Sequence, residues 1–300
     1  MAQQLRVIKR RIGSVQSTQK ITRAMELIAS SRIVKAQQRV EAARPYAEQM
    51  RRLMASVAKK AGRIDHPLLS GRDEVRKVGS IVITSDRGLA GAYNSNIIRA
   101  AERDIQSHGA DEELFLVGKK AVTYFRFRGY EFEHSWIGVS DRPSIEDARE
   151  VARAAAAAFS EGEIDEVRLA YTRFESALTQ RPIVTKLLPL PKEELEQEEE
   201  DADAGRPAPQ YEFEPEPEEI LDVLVPRYVE GTVLQGMLEA AASEHAARRR
   251  AMKAATDNAE DLIGTLTRVY NQARQAEITT EIMEIVGGAE ALAAAARQEE

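Results

Sequence analysis

Between Arg227 and Val286 the chain has no proline and places an apolar or small residue at nearly every alternating step of three and four. The stripe runs Leu234, Leu238, Ala241, His245, Arg248, Met252, Ala255, Ala259, Leu262, Leu266, Val269, Ala273, Ala276, Thr280 and Met283. Such a heptad repeat predicts one seam of a coiled coil. Pro226 suits the first turn of that helix and Gly287-Gly288 its far end. The helix would be about 90 Å long at about 1.5 Å per residue, whereas a compact globule of this chain length is about 50 Å across. The pattern therefore predicts a protruding helix that needs a partner along its seam.

Ala2 to Lys60 supplies that partner. Leu5, Ile8, Ile12 and Val15 stand at heptad spacing, followed after a shift of register by Ile21, Met25 and Ile28. The shift predicts a stutter. Pro45 predicts a kink, or an end to the first half of the helix at Arg44, and Met50, Leu53, Met54 and Val57 carry the apolar pattern beyond it. The two long helices lie at opposite ends of the chain, and each lacks a neighbour in sequence.

Between them the period changes. Ser80–Thr84, Leu114–Val117, Val167–Thr172 and Ile183–Leu188 are short apolar or β-branched runs, with Glu131–Gly138 a weaker one. Asn94–Ser107, Lys119–Arg128 and Ser144–Phe159 read as helices between them. Strands alternating with helices predict a mostly parallel sheet covered on its faces. The expected fold class is α/β with long helices, a Rossmann-like domain inserted between two coiled-coil arms. The expected divisions are a shaft of residues 1–60 and 226–288, an α/β domain at 75–190, an acidic proline-rich loop at 191–219 and a tail at 289–300.

Charge adds a second kind of segmentation. The first 60 residues hold 14 Lys and Arg against three Glu, and residues 192–219 hold 13 acidic side chains against two basic ones. The acidic stretch reads as a solvated loop, with Tyr211 and Phe213 the aromatic exceptions inside it. The basic helix fits an acidic protein surface better than nucleic acid, because its apolar stripe is committed to pairing and its only aromatic is Tyr46. Cysteine is absent, which removes disulfides and thiolate chemistry. The four histidines are scattered at spacings that suit no zinc motif. No apolar run approaches the roughly 20 residues of a membrane span, and no hydrophobic signal region follows Met1. The chain reads as soluble and unexported.

Candidate chemistry is thin. Ser85-Asp86-Arg87-Gly88-Leu89-Ala90-Gly91 follows the first strand, where α/β folds place ligand loops. It lacks the spacing of either a dinucleotide fingerprint or a phosphate loop, so a glycine turn is the expectation, with no cofactor and no metal. Ser85, Asp86 and His108 resemble a hydrolase triad without a nucleophile elbow, and the carboxylates of residues 193–203 lack the calcium-loop pattern.

Four stretches carry a resemblance to a known family. They are the N-terminal IGSVQSTQKITRAMELIASSRIVKAQ, the loop SDRGLAGAYN, the run PRYVEGTVLQGMLE, and the segment from Glu244 to Ala289 that begins EHAARRRAMKAATDNAEDL. Together they resemble the γ subunit of F-type ATP synthase over essentially the whole chain. The resemblance implies a non-catalytic rotor shaft: an antiparallel coiled coil inside a ring of α and β subunits, with the α/β domain as a foot beside ε and the c-subunit ring. It also implies peripheral attachment, through the complex, to the cytoplasmic face of the cell membrane, and proton-coupled ATP synthesis. Contacts with the catalytic head are implied at Arg23, Met25, Arg248, Arg274, Gln275, Thr279, Glu281 and Glu284, and with the c ring at Tyr211, Phe213 and Glu214. Ala90 stands where many members have Cys, so thiol regulation is not implied. The acidic run at 193–203 and the tail exceed the usual pattern.

Overall fold

The computed structural model describes residues 2–60, 68, 71–72, 74–190 and 217–298. In chain order the elements are α1 (Ala2–Lys60), β1 (Lys77–Ile83), α2 (Tyr93–His108), β2 (Asp111–Val117), α3 (Lys119–Phe127), β3 (His134–Trp136), α4 (Ile145–Glu161), β4 (Glu166–Phe174), β5 (Gln180–Leu188) and α5 (Pro217–Gln298). Two compact units share the long helices: a sheet unit, Ala29–Arg249, and a helix-pair unit, Met1–Ile28 with Arg250–Glu300.

In the sheet unit the strand order is β3-β2-β1-β4-β5. The first four strands run parallel and β5 pairs antiparallel with β4. The parallel portion is the half-sheet of a doubly wound fold. β5 reverses because the link from Phe174 to Gln180 is too short for a crossover. Side chains alternate along each strand, so the sheet has two apolar faces. Val82, Leu114, Leu116 and Ala170 meet α2 and α3 through Ile97, Ala101, Ile105, Ala121 and Phe125. On the other face Ile81, Ile83, Phe115 and Leu169 meet Val151, Ala155 and Phe159 of α4, and Val225, Val229, Val233 and Met237 of α5. Gly236 brings α5 close to the strands: a Cβ there would stand 3.3 Å from a Leu169 methyl. Ser144 caps α4 in a capping box with Asp147.

α1 and α5 pack side by side within this unit in antiparallel sense. The Tyr46 ring lies against Gly231, and fourteen residues earlier on α1, Arg32 reaches the Asp141 that His245 also approaches. Ile33 and Val40 share a cluster with Leu238, Ala242 and Ala246.

In the helix-pair unit the buried and half-buried positions of α1 are Leu5, Ile8, Ile12, Val15, Gln19, Thr22, Met25 and Glu26. Apart from Met25 these keep one unbroken heptad, so the expected stutter is absent. Ile21 and Ile28 are 61% and 55% exposed. The seam continues through polar Gln19, Thr22 and Glu26 instead, and Thr22 Oγ1 lies 2.8 Å from Thr256 Oγ1. On α5 the seam runs Met252, Thr256, Ala259, Ile263, Leu266, Tyr270, Ala273, Glu277 and Thr280. Every second expected position is therefore displaced by one residue: Leu262 and Val269 are 39% and 44% exposed, and Ile263 and Tyr270 turn inward.

The helix ends also differ from expectation. α1 passes through Pro45, which lies on its exposed side, where water can satisfy the carbonyl that the missing N–H leaves open. α5 begins upstream of Pro226, since buried Leu221 and Val225 fix its first turns in the sheet core. It continues through Gly287-Gly288 to Gln298, because the alanine-rich stretch after the glycines favours helix. The stretch expected as a tail is thus helical as far as it is described. The acidic loop expected at 191–219 lies outside the described residues as far as 216, with Tyr211, Phe213 and Glu214, and its last three residues already belong to α5. No helix among the described residues is long and apolar enough to cross a membrane.

Candidate functional site

At the carboxyl ends of the parallel strands, where a doubly wound sheet opens a ligand crevice, the sheet unit places its own helix α5. Met237, Ala240, Ala241 and Glu244 sit against Ile83, Thr84, Tyr93 and Val117. The buried Tyr93 hydroxyl donates to the Ala240 carbonyl at 3.1 Å. Burial and the nearby Glu244 carboxylate push that phenol well above its ordinary pKa.

The loop after β1 is built as a bracket. Asn94 Oδ1 accepts from the Ser85 N–H at 3.0 Å and from its hydroxyl at 2.9 Å. Asp86 accepts the Lys119 N–H at 3.0 Å, at the start of α3, and the Ser140 N–H at 3.1 Å. Burial alone would raise the Asp86 carboxyl, but N–H donors from Gly138, Ser140 and Lys119 outweigh it and hold the group below its ordinary value. Gly118 has φ 93°, and a Cβ there would collide with the Thr84 carbonyl. These residues pin a strand-to-helix turn. The sketched triad does not assemble: Ser85 follows the carboxyl end of β1, whereas His108 precedes the start of β2, about 20 Å away along parallel strands at about 3.3 Å per residue.

Arg248 donates to Glu244 at 2.6 Å and to the Gly88 carbonyl at 3.1 Å, both partners inside the sheet unit. Glu244 is almost fully buried and its second oxygen has no hydrogen-bond partner among the described residues. Burial raises its pKa against the pull of Arg248. Sequence reading missed this pair, although an acidic and a basic residue at i and i+4 on a stretch buried on all sides was the available signal.

A second polar cluster lies under the end of α2. His108 Nε2 and Glu112 Oε2 are 3.4 Å apart, and neither atom makes a hydrogen bond among the described residues. Beside them Arg168 bridges Asp104 and Glu166 at 2.8 and 2.7 Å, and Lys186 reaches Glu166 at 2.8 Å. Burial pushes Glu112 up to about 8 and depresses His108, the latter helped by Arg168.

In the helix-pair unit, the residues named through the resemblance lie on the outside. Arg274, Gln275, Thr279, Glu281 and Glu284 are exposed, and Thr279 donates to the Gln275 carbonyl of its own helix. Arg23 is exposed and pairs with Glu26 at 3.3 Å, and Met25 is half-buried. Arg248 differs from the rest, being buried and engaged within the chain.

A family profile described as ATP synthase matches residues 4–292. The chain belongs to the ATP synthase gamma-chain family. A gamma chain from Acidothermus cellulolyticus is 50% identical over 98% of this chain and 99% of its own length, and one from Frankia casuarinae is 52% identical over 98% and 99%. Among solved structures, a chain of the Euglena gracilis mitochondrial ATP synthase matches with TM-score 0.68 at 19% identity, covering 97% of this chain and 95% of its own. A chain from the central stalk and c-ring of the Tetrahymena thermophila enzyme matches with TM-score 0.58 at 24% identity, covering 78% and 99%. Membership of the gamma-chain family fits a sheet whose ligand crevice is filled by its own helix.

Proposed function

We propose that this chain is the rotating central stalk of a proton-translocating F-type ATP synthase, coupling rotation of a c-subunit ring to conformational change at catalytic sites on surrounding β subunits. It is itself a non-catalytic subunit of the complex. The supporting observation is a second apolar stripe that the helix pair leaves uncovered. Beside the seam, Val7, Ile21 and Ile28 on α1 and Leu262, Val269 and Met283 on α5 are exposed at heptad multiples, and Ile278, Ile282, Ile285 and Val286 of α5 are exposed as well. Exposed apolar stripes of this extent mark an interaction surface. A pair of helices enclosed by a ring of larger subunits would bury them.

In this reading Arg23, Met25, Arg274, Gln275, Thr279, Glu281 and Glu284 contact the α and β subunits of the catalytic head. Arg248 would act there by holding the loop at Gly88, since its guanidinium is committed to that carbonyl. Tyr211, Phe213 and Glu214 would meet the c ring beside ε. Attachment to the cytoplasmic face of the cell membrane would come through these partners, without nucleic acid.

Co-purification with candidate α and β subunits tests the reading, and the expected result is a complex with ATPase activity that neither side shows alone. Failure to assemble would overturn it. Arg274→Ala with Gln275→Ala should assemble normally, because both side chains are exposed. A charged hydrogen bond is worth about 1.5–3 kcal/mol and about 1.4 kcal/mol is tenfold in rate. The double variant should therefore change ATP hydrolysis or proton pumping by about one to two orders of magnitude. Unchanged rates at equal assembly would remove these two residues from the contact set.

A further inference from the structure

Within the sheet unit, between α1, α5 and the loop that follows β3, lies a cavity of about 530 Å³, a volume in the range of small-molecule sites. The stalk role makes no use of it. Arg32, Lys35 and Arg39 line it from one side of α1, Asp141 and Arg142 from the loop, and His245 from α5. Arg32 Nη1 donates to both Asp141 oxygens, at 2.5 and 2.8 Å. One carboxylate therefore faces four permanent cations. Lys35, Arg39 and Arg142 form no ion pair among the described residues, which leaves the recess with a net surplus of positive charge.

His245 gives the cavity a polar group that is not part of the solvated surface. It is 2% exposed, its Nε2 stands 3.6 Å from Asp141, and its Nδ1 makes no hydrogen bond among the described residues. An unpaired polar atom in a buried position is destabilising, a cost that a ligand able to hydrogen-bond there would remove. Burial holds the imidazole near pKa 4, opposed by Asp141 and reinforced by Arg248 and Arg32. The ring is therefore neutral at neutral pH and presents one donor and one acceptor nitrogen.

We propose that this cavity binds a small phosphate-bearing anion, of the size of pyrophosphate or the polyphosphate part of a nucleotide, held by Lys35, Arg39 and Arg142 with His245 against it. Planar guanidinium forks match phosphate oxygens in pairs, and the lysine adds a mobile point charge. A small anion suits the site better than an acidic protein segment because the cations converge on a recess instead of lying along an open face. The inference needs only the sheet unit, so it stands or falls separately from the stalk role.

Calorimetric titration of the full chain with inorganic pyrophosphate tests it, alongside nitrogen-detected NMR of the histidine side chains with His245→Gln as the assignment reference. The expected result is saturable one-to-one binding that moves the His245 resonances. Lys35→Gln with Arg39→Gln should weaken it at least tenfold, and Arg142→Gln should weaken it clearly. Arg10→Gln with Arg11→Gln, the same charge change elsewhere on α1, should leave it intact. All the substituted cations are exposed, so each variant should fold, and circular dichroism checks this. Absence of saturable binding would overturn the proposal, as would equal weakening by both charge-removing pairs. Displacement of pyrophosphate by hexaglutamate at lower concentration would assign the recess to an acidic protein segment instead, and would overturn it too.

Discussion

The two parts of α5 are made of similar residues and are held in different ways. In the sheet unit every residue from Gly236 to Ala246 is buried, so neighbouring elements enclose the helix. In the helix-pair unit most of the covered positions are those of the seam, and several of those are polar: Gln19, Thr22 and Glu26 face the side that carries Thr256, Glu277 and Thr280. The sheet unit can support itself on buried area, whereas the helix pair is specified by register and leaves much of its apolar surface open. A segment that must meet changing partners has reason to be built in the second way.

The comparison predicts a large asymmetry in core deletions. Phe115→Ala empties a fully buried site under α4 and α5 and should cost about 3–5 kcal/mol. Ile263→Ala removes a half-buried seam residue and should cost about 1 kcal/mol, in line with average substitutions. Urea unfolding followed at helix and aromatic signals would measure both. Equal costs would mean that the helix pair has a core as dry as that of the sheet.

A second prediction of nearly the same size concerns charge. Arg248→Ala leaves the buried Glu244 without its cation and should destabilise the sheet unit by about 3–5 kcal/mol. Adding Glu244→Gln should recover much of that, since the orphaned charge is then gone. A double variant no better than the single one would show that Arg248 acts through its bond to the Gly88 carbonyl.

The sheet unit should also carry a pH dependence of its own. With its folded pKa raised to about 8, Glu112 binds more protons in the native than in the unfolded state between its ordinary value and 8. Its contribution is fully present below the ordinary carboxylate value and is lost as pH rises towards 8, with a slope of at most about 1.4 kcal/mol per pH unit. His108 is depressed and works in the opposite sense up to its ordinary value, so the net fall should be steepest above about pH 6.5. Glu112→Gln should flatten the stability profile there. An unchanged profile would show that the carboxyl titrates normally.

How far the sequence could be read follows the same division. The β-branched runs and the helices between them marked every strand of the sheet and α2, α3 and α4 to within a few residues, because strand period and helix period differ strongly there. The seam was legible only at alternate positions. Ala255, Leu262, Val269 and Ala276 are as apolar as a seam requires, and the side chains that face inward include Thr256, Tyr270 and Glu277. Hydrophobicity picks out any stripe that is buried in something, and here the more apolar of two adjacent stripes is left largely uncovered by this chain, with only Ala255 of the four half-buried. The same reason placed Ile21 and Ile28 in a false stutter. The meeting of His245, Asp141 and Arg32 stayed invisible because they are brought together from α5, a loop and α1, with nothing local to mark them.

The register itself supplies a smaller and sharper test. Ile263→Asp would put a carboxylate on the seam and should lower the melting temperature of the helix pair. Leu262→Asp, one residue away and 39% exposed, should stay within about 0.5 kcal/mol, as surface changes usually do. The reverse order of effects would restore the seam expected from hydrophobicity alone.

The smallest effect belongs to the Thr22–Thr256 contact, and its sign depends on counting donors. The Thr256 hydroxyl has one proton, and the Met252 carbonyl at 2.9 Å is placed to take it. Thr22 can then give its proton either to Thr256 at 2.8 Å or to the Gln19 carbonyl at 3.0 Å. Thr22→Val removes one hydroxyl and leaves Thr256 with its donor bond satisfied, so the loss should be about 0.5–1 kcal/mol, a typical net hydrogen bond. Thr256→Val also returns the Thr22 proton to its own helix, and the cost should be similar. The double substitution replaces both hydroxyls by methyls in a buried contact and should cost less than the two single changes together, because no polar atom is then left facing an apolar one. A thermal-melting cycle of the four proteins measures this coupling. Strict additivity would mean that the two hydroxyls do not bond across the seam, and that apolar packing and charge alone hold the register of the pair.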